Sequence, residues 1–311
     1  MQFFELIKPG TNFDFMAKKN ICIAISIFFI LIGCISILVR GGLNYGIDFS
    51  GGLLLQLQFK TKVEIDDVRK ALRKVGQGDS TIQRLGESDE IIITAKGSES
   101  DLGVLVRQIN QSLEEEFSKD GFEMRKTETV GPKAGKDLRN KAAMAIIWAI
   151  LGILAYIAFR FEFRFSVGAV IAMVHDVLIT LGFLSLLDKE ITLTIVAALL
   201  TIAGYSINDT VVIFDRIREN TATRRKFEFE EIINRSINET LGRTVLTGGS
   251  TLMTLIILSF LGGEVIHDFS LSLIVGIIAG TYSSIFIASP ILVYWPGRSP
   301  SNVSAAKATK R

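Results

Sequence analysis

The sequence lacks the motifs that would tie it to nucleotide or metal chemistry. It has no Walker loop, no H-E-x-x-H helix, no G-x-S-x-G elbow and no Cys/His cluster at metal-ligand spacing. A nucleotide-driven motor, a zinc hydrolase and a serine esterase are thus unsupported; no cofactor is implied and the chain reads as a non-enzyme. Its two cysteines, Cys22 and Cys34, both fall in the first apolar run. No disulfide framework can hold a later domain, whose stability must come from an ordinary core. No A-x-A site follows that run before Arg40, so a retained signal anchor is expected rather than a cleaved leader.

Charge is missing in blocks. Residues 21–39, 142–159 and 244–263 hold no charged residue, and each approaches the ~20 residues needed to cross a hydrocarbon core of ~30 Å. Residues 165–187, 191–214 and 269–295 are also long enough, the first two carrying a few ionisable residues. The expectation is an all-α membrane bundle of six transmembrane helices.

Lysine and arginine are distributed unevenly around those spans. Alternating sides collect Lys18, Lys19, Arg160, Arg164, Arg216, Arg218, Arg224, Arg225, Lys226, Arg235, Arg243 and Arg298 on one face, whereas the short loops of the other offer only Lys189. The positive-inside rule then puts both termini in the cytoplasm and residues 40–138 outside. Residues 1–20, with Phe3, Phe4, Leu6, Ile7, Phe13, Phe15 and Met16 among polar neighbours, suit a cytoplasmic interfacial segment. Residues 296–311 read as a polar cytoplasmic tail, disordered from Ser299.

The outside segment carries its own pattern. Leu53, Leu55, Leu57 and Phe59 alternate with Gln56 and Gln58, as in a half-buried strand. Thr61 to Glu64 offers a capping box before a helix with Ile65, Val68, Leu72 and Val75 on one face. Two short strands, 81–85 and 91–94, flank a turn at Gly86 to Asp89. A second helix begins near Ser98 to Asp101 and presents Leu102, Leu105, Val106, Ile109, Leu113 and Phe117; a last strand covers 123–130. This order predicts a small α+β, ferredoxin-like extracytoplasmic domain. On the cytoplasmic side, Phe229, Ile232, Ile233, Ser236, Ile237 and Leu241 predict an amphipathic surface helix within a loop at 215–243.

Ionisable residues inside the spans are the functional candidates, because a carboxylate in hydrocarbon is costly and faces a bundle interior, a partner or water. Asp209 shares a stripe of the fourth span with Thr201, Tyr205, Asn208 and Val212 at three- and four-residue spacing, and Tyr205 and Asn208 are proton-relay candidates beside it. Thr247, Ser250, Thr251 and Thr254 form a matching stripe on the fifth, beginning one turn after Arg243. Asp209 and Arg243 both fall in the cytoplasmic half, where a long arginine could reach the carboxylate; the bland alternative is a structural carboxylate and a snorkelling arginine. Asp176 and His175, mid-way along the third span, are adjacent residues whose side chains leave the helix about 100° apart and are not expected to pair. Asp176 is a relay candidate or a hydrogen-bonding node, and His175 a node. Asp176 and Asp209 could in principle form an aspartyl-protease pair, but Arg243 competes for the second. Ser272, Gly276, Gly280 and Ser283 mark a packing face of the last span.

Three stretches give the chain a wider likeness. Gly46-Ile-Asp-Phe-Ser-Gly-Gly52 follows the first span, Thr129-Val-Gly-Pro-Lys-Ala-Gly135 precedes the second, and the run from Gly204 to Asn220 closes the fourth. With them the chain resembles the SecF family of bacterial protein export, within the resistance-nodulation-division superfamily. The resemblance implies that Asp209 and Arg243 are the proton-coupling pair and that the proton motive force assists preprotein translocation across the inner membrane. It also implies a SecD-like subunit as the missing half of a twelve-span assembly, the SecYEG channel with YajC, preproteins and the lipid bilayer as partners, and no nucleic acid. In the first stretch, Gly46, Asp48, Phe49, Gly51 and Gly52 are read as a rigid connector rather than a ligand loop, glycine suiting positive φ or close backbone approach. Two other functions stay open: a small-molecule efflux subunit of the same superfamily, for which a domain of this size leaves little room for a drug pocket, and a non-transporting scaffold.

Overall fold

The computed structural model describes residues 11–85, 89–96, 102–224 and 226–295. The expected start of the interfacial segment at residues 1–10, the turn residues Gly86 to Ser88, the helix start at Ser98 to Asp101 and the tail from Ser299 lie outside the described residues.

A 3-10 turn at Met16–Lys18 leads into α1, Lys19–Val39. Gly41 and Gly42 then turn the chain at φ 75° and 134°, and α2, Ile47–Ser50, gives one helical turn within the first family-like stretch. An α+β unit follows: β1 (Gly52–Phe59), α3 (Ile65–Lys74), β2 (Thr81–Arg84), β3 (Glu90–Ala95), α4 (Leu102–Phe117) and β4 (Phe122–Val130). The sheet order is β2-β3-β1-β4 and every pairing is antiparallel. Leu55 faces Ile93 and Leu57 faces Ile91 across the central pair. The alternation predicted for β1 holds: Leu53, Leu55, Leu57 and Phe59 join Val68, Leu72, Leu105, Ile109 and Leu113 in one buried cluster beneath both helices. Truncating any of these leucines to alanine would cost about 2–5 kcal/mol, enough to unfold a unit of this size. The capping box does not form. Glu64 is the N-cap of α3 and no side chain caps it, because the helix begins at Ile65, after the Thr61 bend.

The remaining helices are α5 (Pro132–Arg160), α6 (Phe163–Leu186), α7 (Leu193–Thr223), α8 (Phe229–Leu261) and α9 (Gly263–Ser283). The last is continued by a π turn at Ser284–Ala288 and by α10 (Ser289–Tyr294). Six of the helical segments are long and apolar enough to cross a membrane. Helices α6, α7 and α9 are the most enclosed, while α1, α5 and α8 lie at the rim. Helix α1 crosses α6 at backbone contact, since a Cβ on Gly33 would sit 2.7 Å from the Cα of Gly182. The G-x-x-x-G face of α9 packs on α7 as expected, Gly276 meeting Ile202 and Gly280 meeting Ser206.

The structure departs from the sequence reading between residues 215 and 243. Among the described residues there is no separate surface helix: α7 runs on to Thr223, a short connection follows, and α8 passes unbroken from Phe229 into the fifth span. The apolar stripe that suggested a membrane surface instead packs inward, with Ile233 and Ile237 against Phe214, Ile217 and Met16. Glu239 stitches this hairpin, accepting from Arg216 Nε at 2.6 Å, Asn220 Nδ2 at 2.8 Å and Arg235 Nε at 3.0 Å. Asn234 and Asn238 of α8 also grip the chain ahead of α1: the Phe13 and Phe15 amides donate to their side-chain carbonyls at 2.8 Å each.

Candidate functional site

Helix α7 buries a face of Ile202, Ser206, Asp209, Thr210 and Ile213 at helical spacing. Asp209 is 3% exposed, and its Oδ2 is buried with no hydrogen-bond partner among the described residues. Arg243, exposed on α8, acts on it electrostatically but does not close to an ion pair. The two residues that sequence spacing joined are therefore near one another and apart.

The rest of the expected stripe divides. Tyr205 is half-buried and its hydroxyl meets Thr251 Oγ1 at 3.2 Å, joining α7 to α8. Thr201 and Asn208 point away from the rest of the chain. On α8 the hydroxyls of Thr247, Ser250 and Thr254 turn back onto carbonyls of their own helix. An exposed amide in a membrane span gains most from a polar partner on a neighbouring helix, and Asn208 is exposed on α7.

Asp176 is fully buried and differs from Asp209 in having every oxygen engaged. Ser206 Oγ of α7 donates to its Oδ2 at 2.6 Å and Ser283 Oγ of α9 donates to the same oxygen at 2.9 Å. Its Oδ1 lies 2.8 Å from His175 Nδ1. This last contact corrects the expectation that the neighbours cannot meet: their Cβ bonds diverge, but side-chain rotation brings ring and carboxylate together over the helix surface. The contact leaves His175 Nε2 buried without a partner, while the ring stacks near Tyr282. Next to this node, Thr210 and Ser284 hydroxyls meet at 2.8 Å where the last span loosens into its π turn. π turns of this kind often sit beside functional sites. Ser206, Thr210 and Ser284 were missed because serine and threonine in an apolar span give no distinctive spacing; Ser206, three residues before Asp209, was the one available signal.

The connector residues come together at the foot of the α+β unit. Gly51 has φ 79°, and a Cβ there would sit 2.8 Å from the Cα of Pro132. Gly52 has φ 147° and pairs with Val130. A Cβ on Gly135 would lie 3.0 Å from the Gly51 nitrogen, so the first two family-like stretches pack backbone to backbone. Phe49 is buried with Leu184, Ile191 and Ile195. Gly46 donates its N–H to Ile191 O at 3.0 Å, and Asp48 Oδ2 accepts from the Leu193 N–H at 2.9 Å.

A family model for the C-terminal part of the SecD/SecF protein export membrane proteins matches residues 109–298, and one for the SecD/SecF GG motif matches residues 35–63. A protein translocase subunit SecF of Desulfurispirillum indicum is 48% identical over 91% of this chain and 92% of its own. The SecF of Vibrio alginolyticus is 40% identical over 93% and 91% of the two chains. This chain belongs to the SecF family.

Membership makes it an accessory subunit of the Sec protein translocase and a multi-pass protein of the bacterial inner membrane. A crystal structure of SecDF from Thermus thermophilus, 37% identical, superposes with a TM-score of 0.78 over 93% of this chain. This chain covers only 39% of that SecDF chain. A second SecDF structure, in a super-membrane-facing form, superposes with a TM-score of 0.70 over 98% of this chain.

Proposed function

We propose that this subunit uses the proton motive force to assist preprotein movement, with Asp209 taking up and releasing a proton and Arg243 controlling when it does so. The observation that carries the reading is the buried Asp209 oxygen with no partner, on a helix whose other buried polar groups are hydrogen-bonded. A carboxylate holds its proton when its cation is withdrawn and releases it when the cation closes, so movement of Arg243 would switch the site. One charge crossing ~100 mV is worth about 2.3 kcal/mol, sufficient to bias a conformational change. Tyr205 and Asn208 flank the carboxylate. Asp176 enters as the fixed acceptor that holds α6 against α7 and α9.

Lysine and arginine asymmetry supports cytoplasmic termini and an extracytoplasmic α+β domain, whose antiparallel β2-β3-β1-β4 order supports the ferredoxin-like assignment. The partner is a SecD-like subunit, seated against the open side of α7 and α8 where Thr201, Asn208, Ser250 and Arg243 are exposed. SecYEG, YajC and preproteins would be met through that complex. Asp209→Asn keeps the shape and cannot titrate. It should abolish proton-dependent stimulation of export in inverted vesicles while copurification with the SecD-like chain persists; wild-type stimulation would reject the assignment.

A further inference from the structure

We infer that the extracytoplasmic domain and the helix carrying Asp209 move as one body, and that Asp48 is the positioning residue that joins them. The inference rests on the reading of Asp209 given above and adds how a change at that site reaches the domain. Four contacts carry it, all at the outer end of α7.

The first is the Asp48 carboxylate on the Leu193 N–H, 2.9 Å away. Leu193 is the first residue of α7, so its amide has no carbonyl within its own helix, and an anion at a helix N-terminus is favoured by the dipole as well as by the hydrogen bond. The residue before it, Thr192, already caps the Ile195 amide through its hydroxyl. Asp48 thus supplies a second cap from a distant part of the chain, 145 positions earlier. The second contact is a short parallel bridge, in which Ile191 N–H donates to Asn44 O at 2.7 Å and Gly46 N–H donates to Ile191 O at 3.0 Å. The third runs to the sheet itself: Thr81 Oγ1 at the start of β2 donates to Glu190 Oε1 at 3.0 Å. The fourth is apolar, Phe49 packing with Ile191 and Ile195.

On its other side the same connector is fixed to the domain. Gly51 and Gly52 leave no room for a side chain against Pro132 and Ala95, and Gly52 is already part of β1. A tilt or axial shift of α7 therefore has no slack to take up before it reaches the sheet. Asp209 lies on the same unbroken helix, sixteen residues from Leu193 and so about 24 Å along its axis. The connector glycines, which follow the first span in sequence, on this account serve mainly as the link between α7 and the domain.

The test uses the full complex in membranes, with Cys22 and Cys34 replaced and new cysteines at Thr81 and Glu190. A short reducible bis-thiol reagent should cross-link the pair almost completely, and the cross-linked complex should keep its proton-stimulated export. In the same background Asp48→Ala should cross-link more slowly and lose most of the stimulation, with copurification of the SecD-like chain unchanged. Asp48→Asn, whose amide oxygen can still accept from Leu193, should restore both; a role in folding alone would not separate cross-linking and export from assembly in this way. The inference is overturned if the pair fails to cross-link. It is equally overturned if cross-linking stops export until reductant is added, or if Asp48→Ala behaves as wild type in both measurements. Should Asp48→Ala fail to assemble, the cross-link arm decides alone. Cross-linking is read without reference to protons, so a failure of the Asp209 reading would show in Asp209→Asn and leave the linkage result standing.

Discussion

Two carboxylates lie inside this membrane bundle at nearly equal burial, and only one is satisfied. Asp176 draws hydrogen-bond partners from α6, α7 and α9, whereas Asp209, one helix away, keeps an oxygen that no group among the described residues reaches. The difference teaches that burial alone does not mark a working residue. On the proposed reading, a buried acid with three hydrogen-bond partners ties helices together, and one without them exchanges a proton.

The sharpest way to break this comparison is to neutralise each acid in turn. Asp209→Asn should remove the proton-dependent part of export entirely and leave thermal unfolding of the complex close to wild type. Asp176→Leu should do the reverse, stranding the Ser206 hydroxyl without its acceptor and His175 Nδ1 without its partner. At about 1–3 kcal/mol for each unsatisfied group the protein should fail to accumulate, which immunoblotting of membranes would show. Asp176→Asn, which keeps an acceptor oxygen, should accumulate at reduced thermal stability and retain proton-stimulated export for each complex assembled. Loss of stimulation there at full assembly would erase the distinction between the two acids.

The two glycine contacts offer the next test, again by contrast. Gly51→Val places a side chain at φ 79° against Pro132 and should impair export, while a fragment of residues 53–130, which holds the buried leucine cluster, should still fold by circular dichroism. Gly182→Leu should force α1 from α6 and lower the yield of the complex without touching the domain.

How much of this was legible in the sequence depends on the range of the interaction. The six apolar helices, the strand and helix order of the domain, and the burial of Asp209 follow from periodicity and from the cost of charge in hydrocarbon, which are local signals. The α7–α8 hairpin was misread because a stripe of Ile233, Ile237 and Leu241 has the same spacing whether lipid or Phe214 covers it. The donors to Asp176 come from positions 30 and 107 residues away, and the acceptor for the Leu193 amide from 145 residues away. Such distances leave no mark on a single sequence. The His175 contact was missed for a different reason, because Cβ direction was taken as a proxy for where a long side chain ends.

A smaller effect sharpens the comparison from the other side. Tyr205→Phe removes only the hydroxyl contact to Thr251, and bonds of this kind between membrane helices average about 0.6 kcal/mol. Export stimulation should fall slightly or not at all, and a complete loss would place Tyr205 in the proton path itself.

The most direct measurement is infrared difference spectroscopy of the reconstituted complex as a proton gradient is applied, following the carboxyl stretching band that reports protonation. The account predicts a band that vanishes in Asp209→Asn and persists in Asp176→Asn. A band that survives in Asp209→Asn and is lost in Asp176→Asn would contradict it.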